Sequence, residues 1–225
     1  MNMIRSQKKI DALCALCNSG NVTFFYKDKD REYLHCANCD LVFVPSQYFL
    51  SSEEAKTRYD LHENSPDDGN YRGFLSRLFV PLDKLLPPGS SGLDFGSGPG
   101  PTLSIMFEEH CHMMKIYDPF FADNAGVLNK RYDFITATEV LEHLHAPARE
   151  LDRLWSCLRE GGYLGIMTKL VIDRDRFKKW HYKDDPTHVC FFSRAAFEWL
   201  AEYWGADISF LESDVIIYRK KGARK

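Results

Sequence analysis

The chain has 225 residues, 44% of them hydrophobic, and a formal net charge of -3. That length supports one full α/β core plus a small appendage, and the charge balance excludes a global basic field for nucleic acid, leaving only local basic faces such as residues 219–225. No apolar run reaches the roughly 18 residues of a membrane span, and residues 1–9 lack the apolar stretch of a signal peptide, so the expectation is a cytosolic protein with reduced cysteines, no membrane partner and a solvated, frayed basic tail.

Cys14, Cys17, Cys36 and Cys39 form a C-x2-C pair, eighteen intervening residues, and a second C-x2-C pair. Two such knuckles can set four thiolates tetrahedrally around one Zn²⁺. Reduced thiols or a redox pair are the competing readings. A segment this short needs a staple of that kind to hold a core. Strands are predicted at residues 23–26 and 32–34, joined by a polar turn, and at 41–44, ended by Pro45. The segment resembles a zinc ribbon. His35 reads as a spare strand residue. Cys111, Cys157 and Cys190 have no motif spacing and read as small buried hydrophobes.

A helical connector follows. Ser51 and Glu54 have the spacing of a capping box. After the polar loop at 63–70, Phe74, Leu75, Leu78, Phe79, Leu82, Leu85 and Leu86 recur at helical spacing. Pro81 is expected to kink this helix, and residues 87–89 to end it.

From residue 92 onward strands and helices alternate. Strands are predicted at 92–95, 113–117, 132–137 and 163–167, and a closing hairpin at 208–211 and 215–218. Pro101 fits the first position of one helix, and Pro147 opens another that ends at Gly161-Gly162. Ser193 caps a third, which ends at Gly205. The expected fold is therefore α/β: a Rossmann-like, mostly parallel sheet with helices on both faces, a C-terminal antiparallel hairpin and a small N-terminal zinc ribbon. The expected divisions are residues 1–46, a 47–90 connector or lid, and a 91–225 core. Only fourteen residues separate Asp118 from Asp133. That is too short for a crossover helix and another strand, so one edge strand and its helix are expected to be truncated or missing.

Gly96-Ser97-Gly98-Pro99-Gly100 follows a strand and precedes a helix. Glycines there let the backbone turn tightly and approach a ligand, and the helix beyond offers free N–H groups to an anion such as a carboxylate. A dinucleotide fingerprint wants a small residue where Pro101 stands. Asp118, twenty residues after Gly98, can accept hydrogen bonds from both hydroxyls of a ribose. Its plain alternative is a turn aspartate. Pro119 keeps it out of the helical region.

With Asp94 ahead of it, the glycine segment resembles the first motif of class I S-adenosylmethionine (SAM)-dependent methyltransferases. The run 132–144, containing Glu139-Val140-Leu141-Glu142-His143, is similar to that family's segment after the fourth strand. His188-Val189-Cys190-Phe191-Phe192-Ser193 is similar to an H-x-x-F-F-S signature in one bacterial subgroup. The resemblance spans roughly residues 70–218. It implies SAM, or its product S-adenosylhomocysteine, against Asp94, Gly96, Ser97, Gly98, Pro99, Asp118, Pro119, Thr138, Glu139 and Val140. Tyr71, after a loop of the kind that forms a lid in this superfamily, is expected to add a contact. His143 would sit near the methyl donor or support its loop.

SAM carries its own leaving group, so such an enzyme chiefly positions its substrates. The segment 176–188 mixes aromatics with His181 and His188 at the end of the sheet where ligands bind. His188 is the candidate base or acceptor-orienting residue. A loop histidine holding the backbone is the alternative. No D-P-P-Y or N-P-P-Y segment argues for amide or base-amine methylation, and no Pro-Cys or Thr-Cys dipeptide for base-carbon methylation. Three readings stand: methyl transfer to a small molecule, methyl transfer to RNA gripped by the zinc ribbon, and a non-catalytic module holding SAM. The first is preferred, because residues 21–40 balance Lys27, Lys29 and Arg31 against Asp28, Asp30, Glu32 and Asp40.

Overall fold

The computed structural model describes residues 11–61 and 64–222. The N-terminal stretch at 1–9, loop residues His62 and Glu63, and tail residues 223–225 lie outside that range.

Two sheets organise the chain. The smaller is antiparallel and ordered β1-β2-β3-β8: β1 (Val22–Lys27), β2 (Glu32–Cys36), β3 (Val42–Phe43) and β8 (Cys190–Phe191). The larger has six strands: β4 (Ser91–Phe95), β5 (Met113–Tyr117), β6 (Tyr132–Thr138), β7 (Leu158–Met167), β9 (Asp207–Leu211) and β10 (Val215–Arg219). Its order is β5-β4-β6-β7-β10-β9, parallel from β5 through β7 and antiparallel at β10 and β9. This is the expected α/β architecture with its closing hairpin. The missing crossover is real: β5 is an edge strand, and only the 3-10 turn Ala125–Asn129 separates it from β6.

Side chains on alternate positions of each strand feed opposite faces, as a period of two requires. Val215 and Ile217 of β10 join Phe134 and Met167 under α2 (Gly69–Asp83) and α3 (Thr102–Glu109). Ile216 and Tyr218 join Leu164 and Ile166 on the other face, with Leu151 and Leu154 of α4 (Pro147–Cys157) and Phe197 and Leu200 of α6 (Arg194–Trp204). Trp155 and Trp204 stack at 4.6 Å between those two helices. The capping box of α1 (Ser52–Tyr59) forms as its spacing predicts, and Ser193 caps α6, which ends on left-handed Gly205.

Several expectations need correction. Helix α2 stops at Asp83 instead of reaching Leu86. Pro101 is the N-cap of α3, not its first residue. Helix α4 ends at Cys157, and Gly161 and Gly162 lie within β7, where the register against β6 slips between Tyr132 and Phe134. Cys157 and Cys190 are buried, but Cys111 is exposed in a left-handed turn (φ 64) after α3. The tail is docked at its start. Arg219 belongs to β10, and Lys220 Nζ donates to the carbonyls of Trp155 (2.7 Å) and Leu158 (3.1 Å).

The cysteine segment is built into the core. Val42 and Phe43 pair with Phe191 and Cys190. Phe177, on α5 (Arg174–Lys178), packs edge-on against Phe25, Tyr33 and Phe191. No helix among the described residues is long and apolar enough to cross a membrane.

Candidate active site

Strand β4 ends at Phe95, and Gly96 follows it in a turn, where its φ of 76° and close approach to Val140 exclude a side chain. A Cβ on Gly100 would fall on the main-chain oxygen of Asn64, so the segment before α2 lies against the glycine loop. Gly98 N–H donates to Asp118 Oδ2 at 3.0 Å. Asp118 Oδ1 accepts from the amides of Phe120 (2.9 Å) and Phe121 (3.2 Å), which fixes the carboxylate just past the end of β5. Beneath the loop, Asp94 is 3% exposed and accepts from Thr136 Oγ1 (2.7 Å) and Ser104 Oγ (3.3 Å). Burial pushes its carboxyl up to about 6. Ser97 Oγ is buried without a hydrogen-bond partner among the described residues.

The glycine loop, Asn64, Asp94, Ser97, Asp118, Phe120 and Phe121 line one cavity of about 720 Å³. It takes in every expected cofactor residue: Tyr71, Asp94, Gly96, Ser97, Gly98, Pro99, Asp118, Pro119, Thr138, Glu139 and Val140. His143 and His188 line the same cavity. Their rings meet edge to face at 4.7 Å. His188 Nδ1 lies 2.6 Å from the Tyr182 carbonyl, so it must be the donating nitrogen, leaving the Nε2 lone pair as acceptor. His143 Nδ1 bonds the Thr187 carbonyl in the same sense at 3.3 Å. Burial and the facing His143 hold His188 below its ordinary value.

Of the two carboxylates behind these imidazoles, Glu139 was expected only as a cofactor contact, and Glu142 had no expected role. Glu142 is 1% exposed and accepts from Tyr182 O–H (2.5 Å) and Thr168 O–H (2.9 Å). Glu139 adopts the left-handed region (φ 51), a conformation that costs a non-glycine residue energy and clusters at functional sites. Burial beside Glu142 pushes Glu139 up to about 8. The E-x-x-E-H spacing was the available signal. His181, by contrast, is exposed, and Trp180 packs on Phe177, Tyr182 and Phe191 away from the cavity lining.

Arg31 was also missed as a functional element. It is 6% exposed, and its guanidinium donates to the carbonyls of Lys183, Asp185 (3.0 Å), Pro186 (3.1 Å) and His188 (3.0 Å). The N-terminal sheet thus grips the loop that carries His188.

The four cysteine sulfurs lie within 4.8 Å of one another, with Cys14–Cys39 and Cys17–Cys36 at 3.5 Å and all four thiols free of disulfides. A tetrahedral site with metal–sulfur bonds of about 2.3 Å requires sulfurs about 3.8 Å apart. The two knuckles are superposable in their bonding. Asn18 N–H donates to Cys14 O and Asp40 N–H to Cys36 O, and both residues are left-handed (φ 56 and 60). Leu16 N–H also donates to Cys14 Sγ at 3.4 Å. This donor set fits one Zn²⁺.

The sheet order reverses between β4 and β6, and a glycine loop after β4 with a carboxylate at the end of β5 is the arrangement of a nucleotide-type site on a Rossmann-like sheet. Residues 67–208 match the family described as "Methyltransferase domain", and the chain belongs to that family. Among solved structures it is similar to a 1,6-didemethyltoxoflavin-N1-methyltransferase from Burkholderia thailandensis, solved with its substrate and S-adenosylhomocysteine. Identity is 18%, the match covers 88% of this chain and 99% of that one, and the TM-score is 0.52. CalO1, a methyltransferase of calicheamicin biosynthesis with S-adenosylhomocysteine bound, matches at 13% identity over 76% of this chain and 59% of its own, with a TM-score of 0.49. A SAM-dependent methyltransferase from Mesorhizobium loti matches at 12% over 64% and 98%, with a TM-score of 0.46. No curated protein matches the sequence.

Proposed function

We propose that the protein transfers the methyl group of SAM to a hydroxyl or amine of a small molecule. The observation that carries this reading is a single cavity lined both by the glycine loop with Asp118 and by His143 with His188. Asp118 holds the ribose hydroxyls, the glycine loop and Ser97 hold the methionine end, and Thr138, Val140 and Tyr71 line the remainder. The acceptor sits against His143 and His188, which orient and activate it. Its oxygen or nitrogen bonds to the methyl carbon as the carbon–sulfur bond breaks, the electron pair stays on sulfur, giving S-adenosylhomocysteine, and the acceptor's proton is released to solvent.

A small acceptor is favoured over RNA because the cysteine segment offers little to a phosphate backbone. Lys27 pairs with Glu32 (2.9 Å), Lys29 lies 3.8 Å from Asp30, and Arg31 is buried on carbonyls. The zinc we assign to Cys14, Cys17, Cys36 and Cys39 is structural, with no ligand position left open. Its module stands as a scaffold for the His188 loop, ahead of the connector at 47–90 and the core at 91–225.

The test is transfer of label from [methyl-³H]SAM into a fractionated cell extract. Label in the small-molecule fraction is the expected result. Label in RNA, with binding that weakens steeply in salt, would replace the small molecule. SAM binding with no turnover in any fraction would leave a non-catalytic module.

A further inference from the structure

We propose that Glu142, His143 and His188 hold a divalent metal ion at the acceptor end of the cavity. Glu139 supplies a fourth oxygen, and the ion activates a hydroxyl acceptor, best one with two adjacent oxygens. This rests on the methyl-transfer reading and assigns the activating role to an ion held by the imidazoles.

One donor atom from each of Glu142, His143 and His188 lies within 4.8 Å of the other two. Some point therefore lies within about 2.8 Å of all three (4.8 Å divided by √3), against metal–ligand distances of about 2.0–2.2 Å. Shifts of about 0.6–0.8 Å at most close the site. Glu142 Oε1 and His143 Nε2 are already 3.9 Å apart.

The surroundings have the form that metal ligands require. A ligating imidazole almost always donates its other N–H to a carbonyl or carboxylate, and a ligating carboxylate is itself hydrogen-bonded. Both histidines place Nδ1 on a main-chain carbonyl, Tyr182 for His188 and Thr187 for His143. Glu142 is held by the hydroxyls of Tyr182 and Thr168. Tyr182 serves two ligands at once, with its carbonyl on His188 and its hydroxyl on Glu142. A second observation points independently to a ligand: Glu139 Oε1 is buried with no hydrogen-bond partner among the described residues, while Glu139 Oε2 is 3.5 Å from the same Tyr182 hydroxyl. Two neighbouring buried carboxylates must either take up a proton or share a cation, and a cation also supplies the missing partner of Glu139 Oε1.

Two imidazoles with one or two carboxylates suit a first-row divalent ion, and three ligands on one side leave adjacent positions open. Two vicinal oxygens fill such positions. The ion stabilises the deprotonated hydroxyl, whose proton passes to solvent. That oxygen then bonds to the methyl carbon, and the methyl–sulfur bond breaks with its electrons kept by sulfur.

The experiment uses the full chain with its cysteine metal retained. Mn²⁺ and Co²⁺ are titrated separately, read by the loss of free Mn²⁺ electron-paramagnetic signal and by the visible Co²⁺ spectrum. SAM binding is measured by calorimetry on the same samples. One Mn²⁺ per chain is expected, weakened at least tenfold in His188→Gln and several-fold in Tyr182→Phe, with zinc content and SAM affinity unchanged. If neither ion binds, or binding is the same in both variants, the inference is overturned. If SAM also fails to bind, the methyl-transfer reading falls with it; intact SAM binding without the ion removes the metal alone.

Discussion

Arg31 donates a hydrogen bond to the main-chain oxygen of His188 at 3.0 Å, across 157 positions of sequence. The same guanidinium holds three more carbonyls of the 183–188 loop. A planar fork of five donors does this; an ammonium cannot reach all four at once. Arg31→Lys leaves buried carbonyls unpaired and should cost about 2–3 kcal/mol of stability. Turnover should fall while the Kd for SAM holds, because the loop serves the acceptor. Denaturant titration, calorimetry and kinetics on one preparation check this, and a Kd that worsens as much as kcat contradicts it.

The cysteine site should behave as part of the same cooperative unit. Strand β3 pairs with β8, and Phe177 bridges the N-terminal strands to the core. We expect one zinc per chain, lost in Cys36→Ser, and a melting transition that stays single but moves down. Metal analysis with calorimetry tests it. Two separate transitions would mean that the module melts alone.

Asp118 should be decisive for the cofactor. It is fixed by three amide donors before any ligand arrives. Asp118→Ala removes the proposed ribose acceptor and frees the Gly98 amide, so the Kd for SAM should rise on the order of 10- to 100-fold (1.4 kcal/mol per decade). Unchanged affinity by calorimetry would rule out the ribose assignment.

Asp94 predicts a pH dependence. Its folded value, pushed up to about 6 by burial, lies above the unfolded value of about 3.9. Ionisation therefore opposes folding: the free protein loses stability as pH rises from about 4 through 6, and loses no more above that. In the proposed reading the methionine end of SAM lies at the glycine loop above Asp94, where its ammonium would favour the carboxylate, so SAM affinity should fall as pH drops through 6. Asp94→Asn should melt higher than wild type at pH 7.5 yet bind SAM more weakly. Calorimetry of the wild type at pH 5.5 and 7.5 is the direct check, and equal affinities would refute it.

Much of the fold was legible from local signals. The glycine loop, the twin knuckles, the capping box at Ser51 and the short Asp118–Asp133 connection each depend on a few neighbouring residues and the backbone geometry they permit. Element ends were less legible. Leu158 begins a strand directly from a helix because pairing with Tyr132 outweighs the break signal at Gly161-Gly162.

The sequence by itself determined the alternation of strands and helices, the donor-side motif and the metal-type cysteine spacing, since periodicity and spacing are properties of the chain. The tertiary structure alone decided that Arg31 clamps the His188 loop and that Val42 pairs with Phe191. It also decided that His181 and Trp180 turn away while Glu142, His143 and His188 converge. These are contacts between distant segments. They depend on sheet register and on the packing of Phe177 and Tyr182, which no local pattern encodes.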